Sequence, residues 1–233
     1  MGDSGHGKRG DYEMYGQPGL SVLMPSRSRP QSCRQASDSV RRTCNNNTVV
    51  VIYLDEDDPK LSEYTNNELV HAVVIGKPRR SGEAIRFLLT ECRNDKLDDM
   101  YYFGSDDITW ETQGWDEIFR QKMPDHGLAV LYPDMGDSCN PCFTRKWVET
   151  VGLWPEYFKH FGPDTWYADI AKRAGTLIRV PEVRMKHERV RDATYTRTRA
   201  DGDGMFAQRM LDETQEERAQ LANKVKTLLS SES

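Results

Sequence analysis

Tyr101-Tyr102-Phe103-Gly104-Ser105-Asp106-Asp107-Ile108 places three aromatic residues, then a glycine, ahead of two adjacent carboxylates. Bulky aromatics suit the interior of a buried strand, and Gly104 and Ser105 let the chain turn at its end. The spacing predicts a short strand that delivers Asp106 and Asp107 to solvent at its C-terminal end. In open α/β sheets, ligands bind just beyond the carboxyl ends of the strands. Adjacent carboxylates repel unless a cation lies between them, and a divalent ion carrying a phosphate ester is the usual reason to pair them. A solvated acidic turn has the same local sequence, so the decision rests on the surrounding chain.

Upstream, Leu20–Met24 predicts a first strand that stops at Pro25. The polar basic loop Ser26-Arg27-Ser28-Arg29 follows, and Pro30 opens a helix to about Thr43. Thr48–Leu54 predicts a second strand, ending in Asp55-Glu56-Asp57-Asp58-Pro59. Val70–Ile75 predicts a third, ending in Gly76 and the basic run Lys77-Pro78-Arg79-Arg80, with a helix from Glu83 to about Arg93. Downstream come a short helix over Gly114–Arg120, a strand over Leu128–Tyr132 and a short helix over Thr144–Val151. A helix over Thr165–Ala174 would be N-capped by Asp164 and ended by Gly175, before a last strand, Leu177–Val180, closed by Pro181. From about Met205 to Leu229 the chain is charged and helical in period.

This alternation predicts an α/β fold: a mostly parallel sheet flanked by helices, with a C-terminal helical tail. The expected organisation is a loosely attached arm over 1–18, one domain over 19–200, and a packed helix over 201–233. In a parallel sheet the C-terminal strand ends share one edge. Arg27, Arg29, Asp55, the Lys77–Arg80 run, Asp106 and Asp107 would then meet in one crevice, suited to an anionic ligand bridged by a metal.

Composition narrows the classes. A chain of 233 residues with 37% hydrophobic content can bury a sizeable core. A net charge of -5 excludes a global basic field that would draw the protein onto nucleic acid. Five cysteines, an odd count, fit reduced thiols in a cytosol-like compartment rather than a disulfide framework. No stretch has the length and apolarity of a membrane span, so a soluble, cytoplasmic protein is expected. GxGxxG, GxxxxGK[ST] and HExxH motifs are absent from the sequence. Cys139-Asn140-Pro141-Cys142 lacks two further ligands for zinc and the helix context of a redox pair, so it is expected to line a loop.

Other side chains have two readings each. His187 follows the last strand and could be structural, or could return to the edge of Asp106 and Asp107, where imidazole suits a manganese-like ion. Asp164 as an N-cap needs no function; its functional reading is a general base on an acceptor hydroxyl. Trp110 and Trp115 follow the acidic pair closely and could stack a sugar or base, although tryptophans are mostly core residues. The cationic run Arg184–Arg199 is either a solvated face or a flap over a diphosphate.

In their order, SVLMPSRSRP, VVVIYLDEDDP, the Gly82-Glu83-Ala84 turn, YYFGSDDITW, the loop Asn140–Arg145, FGPDTWYADIAKRAG and VRMKHERVRDATY resemble a GT-A glycosyltransferase of the broad family-2-like kind. The resemblance covers roughly residues 19 to 195. It implies a nucleotide-sugar donor, a UDP-sugar first among them, with Mn²⁺ or Mg²⁺ as cofactor. By the same resemblance Pro25, Ser26, Arg27 and Arg29 lie along the nucleotide, and Asp55 accepts a hydrogen bond from the base. Asp107, supported by Asp106, holds the metal with His187, Asp164 is the catalytic base, and the sugar inverts. Two positions depart from the family pattern: Ser105 stands first in the D-x-D triplet, and Pro163-Asp164 replaces a Glu-Asp pair.

The run GSDDITW and the tail Asp192-Ala193-Thr194-Tyr195 are similar to small bacteriophage enzymes of this fold, some of which glycosylate hydroxymethylated bases in DNA. A saccharide or small-molecule acceptor stays open beside that. So do two other classes. A nucleotidyltransferase would usually place a Gly-rich loop where Arg27 and Arg29 flank Ser28, and a non-catalytic nucleotide-sugar-binding module would account for the missing first acid.

Overall fold

The computed structural model describes residues 19–45, 47–65, 72–94, 98–134, 140–188 and 202–231. The expected arm over 1–18, Cys139 of the CxxC, and Arg189–Arg199 with the Asp192–Tyr195 tail lie outside the described residues. The chain alternates β1 (Gly19–Ser26), α1 (Pro30–Thr43), β2 (Thr48–Asp55), the short α2 (Leu61–Thr65), β3 (Ala72–Gly76), α3 (Ser81–Asn94) and β4 (Asp98–Phe103). It continues through β5 (Ile108–Trp110), α4 (Trp115–Lys122), β6 (Val130–Asp134), β7 (Cys142–Thr144), α5 (Arg145–Val151), α6 (Pro163–Ala174) and β8 (Leu177–His187). Two C-terminal helices follow, α7 (Asp203–Glu213) and α8 (Gln215–Ser231).

The strands form one sheet in the order β3-β2-β1-β4-β7-β6-β8-β5. The first four are mutually parallel, β7 runs antiparallel to both β4 and β6, and β8 runs parallel to β6. Six strands therefore point one way, and only β7 and β5 are reversed. Side chains alternate across β1 and β2. Leu23, Val51, Tyr53, Tyr101 and Phe103 face a core built with α3, α5, α6, α7 and α8. Leu20, Val22, Met24, Val50, Ile52, Leu54 and Tyr102 face a second core, with α1 and α4. A strand covered on both faces needs a continuous apolar run, which is what TVVVIYL supplies. No helix among the described residues is long and apolar enough to cross a membrane.

Three expectations need correction. Pro181 does not end the last strand; β8 passes through it, because the register against β6 shifts between Pro133 and Asp134 and the ladder needs no donor there. Asp164 is not the N-cap of α6. The helix starts two residues earlier than expected, at Pro163, capped by Gly162 at φ 106°, where a Cβ would lie 2.4 Å from the Phe158 ring. The three-residue strands β5 and β7 have no counterpart in the sequence reading.

Candidate active site

The C-terminal ends of β1, β2 and β4 lie side by side, and the acidic pair follows directly on β4. Gly104 makes that exit possible. Its amide bonds Leu23 O at 2.8 Å, and a Cβ on it would meet Val22 Cγ1 at 2.8 Å. Asn140, at φ 58°, secures the same strand end by donating from Nδ2 to Phe103 O (2.7 Å). The short β5 then completes the site. Its register pairs Ile108 with His187, and Glu188 N bonds Asp107 O at 2.8 Å. This brings His187 Nε2 to 3.3 Å from Asp107 Oδ2, joining residues eighty positions apart in sequence.

The two carboxylates differ sharply in setting. Asp106 is buried, with Oδ2 accepting from Ser26 Oγ (2.7 Å) and Oδ1 from Arg29 Nη1 (3.3 Å). Burial pushes its carboxyl up to about 6 despite the opposing pull of Arg29 and Ser26. Burial would raise Asp107 as well. Hydrogen bonds from His187 and Ser105 outweigh it and hold Asp107 below the ordinary carboxylate range. Asp107 is the better metal ligand of the two, since it stays ionised and faces His187. Carboxylate plus imidazole is a donor set that suits Mn²⁺. Among the described residues no group of three or more His, Cys, Asp or Glu is placed to hold a metal. A cation bound by Asp107 and His187 would therefore complete its shell with phosphate oxygens and water, as Mg²⁺ commonly does.

The basic loop after β1 is held from several sides. Pro25 pairs in register with Tyr53 inside the ladder. Arg27 Nη1 donates to Asp55 Oδ2 (2.7 Å) and also bonds Asp57. Asp55 is buried, and its Oδ1 accepts from Arg79 N at 2.9 Å. The base contact expected of Asp55 is thus met in this structure by protein donors on both oxygens. Ser28 takes a left-handed φ of 59°, held by Asp58, which accepts from Ser28 N (2.7 Å) and Ser28 Oγ (3.2 Å). Tyr64 OH accepts from Arg29 N (2.8 Å) and bonds Ser26 Oγ (3.0 Å). Asp58 and Tyr64 have no role in the sequence reading. Asp58 is hidden in an acidic turn, and nothing local to Tyr64 points to a loop thirty-five residues upstream.

Asp164 lies half-buried in the first turn of α6, at the same edge of the sheet. Its Oδ1 accepts from Thr165 N (2.8 Å), and its backbone carbonyl accepts from Tyr132 OH (2.9 Å). His160, which the sequence reading missed, precedes it on the 159–162 loop and bonds Ser81 Oγ through Nδ1. Burial, with the cations Arg80 and Arg29 nearby, holds this imidazole below its ordinary range.

Trp115 is not at the site. It is fully buried, 3.7 Å between ring centroids from Trp110 and packed near Tyr102 and Phe119. Strand β5 runs antiparallel to β8 and carries the chain away from the acidic pair, so both tryptophans enter the core and neither offers a stacking face. The Lys77–Arg80 run is also partly committed: Arg79 lies over the Tyr53 and Phe87 rings, and Arg80 pairs with Asp203. Cys142 is buried in β7.

No protein-family model matches the chain, and no curated protein matches it in sequence. Solved structures do match. A mannosyltransferase of Pyrobaculum calidifontis, in complex with GDP-Man and Mn²⁺, superposes with a TM-score of 0.61 at 13% identity, over 94% of this chain and 75% of that one. The fold is that of a GT-A glycosyltransferase. S. aureus TarS residues 1–349 superpose with a TM-score of 0.51 at 11% identity, over 70% of this chain and 58% of that one. The UDP complex of the same TarS fragment gives 0.50 at 12% identity, over 70% and 57%.

Proposed function

We propose that this chain transfers a sugar from a nucleotide-diphosphate-sugar donor to an acceptor hydroxyl, using Mn²⁺ or Mg²⁺. One observation carries the reading. In a GT-A type fold, a carboxylate–imidazole pair (Asp107 and His187), a basic loop (Ser26–Arg29) and a carboxylate at a helix start (Asp164) stand along one sheet edge. Two of the similar structures hold a nucleotide-sugar or a nucleotide, GDP-Man with Mn²⁺ in one and UDP in the other, which supports a donor of this class.

The roles follow from chemistry. Arg27 and Arg29, already paired with Asp55 and Asp106 at the strand ends, would offer their remaining N–H donors to an anionic diphosphate. Asp107 and His187 would hold a divalent cation, which would supply neutralisation of the charge that develops on the leaving diphosphate. Asp164 takes the proton from the acceptor hydroxyl as its oxygen attacks the anomeric carbon and the bond to the diphosphate breaks, inverting the sugar. The sequence resemblance offers a hydroxymethylated base in DNA as acceptor. Arg79 and Arg80 are engaged within the protein rather than presented together as a phosphate-binding patch, so a saccharide acceptor stands beside the DNA.

The test is nucleoside diphosphate release from a panel of UDP-, GDP-, ADP- and CDP-sugars, with Mn²⁺ or chelator, and with modified DNA or saccharide acceptors. Metal-dependent release from one donor, lost in Asp107→Ala, is the expected result. Release from none, with no donor-induced thermal shift, sinks the reading. Asp164→Asn should lower turnover by about 10²–10⁴-fold, the usual worth of a general base. A loss under about tenfold would remove Asp164 from that role.

A further inference from the structure

We propose that Tyr64 and Asp58 are positioning residues of the donor site: they hold the Ser26–Arg29 loop in the backbone shape from which Ser26 and Arg29 grip Asp106. The proposal rests on the donor-site reading above and deepens it.

The hydrogen bonds form one directed chain. Arg29 N donates to Tyr64 OH, so the Tyr64 proton is left to donate to Ser26 Oγ. Ser26 Oγ spends its own proton on Asp106 Oδ2 at 2.7 Å. Every hydroxyl in the chain thus both donates and accepts, and the chain ends on the carboxylate beside the proposed metal ligand. Ser26, Tyr64 and Asp106 are all buried, so a missing link would leave a polar group without water to replace it. Asp58 acts one residue away. A serine at φ 59° is disfavoured on its own, and the bonds from Ser28 N and Oγ to Asp58 offset that cost. Asp58 is fixed in turn, since it also accepts from Lys60 N at 2.9 Å. The acidic turn after β2 therefore acts through the loop after β1 on the carboxylate after β4, across three adjacent strands.

The test uses the full chain and the donor that the wild-type protein turns over. Tyr64→Phe keeps the ring and removes the hydroxyl. Donor KM should rise about five- to twentyfold with kcat within about threefold, because ground-state and transition-state binding are lost together. Asp58→Asn should raise KM in the same way. Ser28→Gly in that background should recover most of the loss, since glycine reaches positive φ without help. A general packing role for Asp58 predicts no such rescue. Wild-type KM in Tyr64→Phe, or an Asp58→Asn defect that Ser28→Gly leaves untouched, overturns the positioning role alone. A wild-type protein silent toward every nucleotide sugar overturns the donor site itself, and the positioning role with it.

Discussion

Two buried carboxylates sit at opposite edges of the sheet, and they are satisfied to different degrees. Asp116, at the start of α4, is fully buried, accepting from Asn45 N (2.9 Å), Thr48 Oγ1 (3.1 Å) and Arg120 Nη1 (2.9 Å). Asp106, at the other edge, accepts one close bond from Ser26 and one long bond from Arg29. The first charge is closed in, with its partners around it, and it ties α4 to the start of β2. The second is only partly compensated, and its neighbour Asp107 faces an imidazole at an open strand end. A buried charge with a full set of donors serves architecture, whereas one left short at a strand end is a candidate for function.

Truncating each residue tests this contrast most directly. Asp116→Ala leaves Arg120 nearly buried without its main partner and should cost about 3–5 kcal/mol of stability, read from urea unfolding. The fraction that remains folded should bind nucleoside diphosphate as the wild type does. Asp106→Ala should do the reverse, weakening nucleotide binding by at least about tenfold (1.4 kcal/mol) while stability at neutral pH changes by less. Equal stability losses in the two variants would erase the distinction.

A smaller effect of Asp106 is read by pH. The Asp106 carboxyl, pushed up to about 6 by burial, lies above its unfolded value of about 3.9. Between those values the folded state binds more protons, so stability from this group is full below about pH 4 and is lost as pH rises through about 6. The span is bounded at roughly 3 kcal/mol. Asp107 and Asp169, both held below their ordinary range, act in the opposite sense, so the quantity to measure is wild type minus Asp106→Asn. That difference should fall between pH 4 and 7, and a flat difference would mean that Asp106 is not desolvated.

The fold was largely legible because its central strands are long, apolar and punctuated. The helix Pro30–Thr43 is found at its expected bounds, since Pro30 marks its start and the apolar spacing runs its length. The edge of the sheet was legible for the same reason: strand ends in a parallel sheet share a side, whatever the details. What the sequence hid was carried by very short or long-range features. A three-residue strand has no period to read, so β5 went unseen, and with it the turn that sends Trp110 and Trp115 into the core; the return of His187 to the edge of Asp107 was expected, but not the strand pairing that produces it. Pro181 read as a stop because a lost donor matters only where the partner strand requires it. Tyr64 and His160 act through contacts with residues 26–29 and 81, which no local pattern announces.

The rule that neighbours rather than charge decide a residue's worth can be pressed further on the C-terminal helices. Asp169 in α6 accepts from two arginines through the same oxygen, Arg218 at 2.6 Å and Arg173 at 2.8 Å. Arg218 is almost wholly buried, bonds Thr214 Oγ1 and Leu211 O as well, and lies over the Trp166 ring. Arg173 is exposed and makes an i,i+4 pair on the helix surface. Arg218→Ala therefore strands a backbone carbonyl and a hydroxyl and opens the α6–α8 contact, which should lower the unfolding midpoint clearly. Arg173→Ala removes a solvent-screened pair worth about 0.3–0.5 kcal/mol and should shift the midpoint barely at all. If the two substitutions cost the same, the geometric tie of Arg218 to three partners contributes nothing beyond its charge, and the reading of Asp116 as architecture would weaken with it.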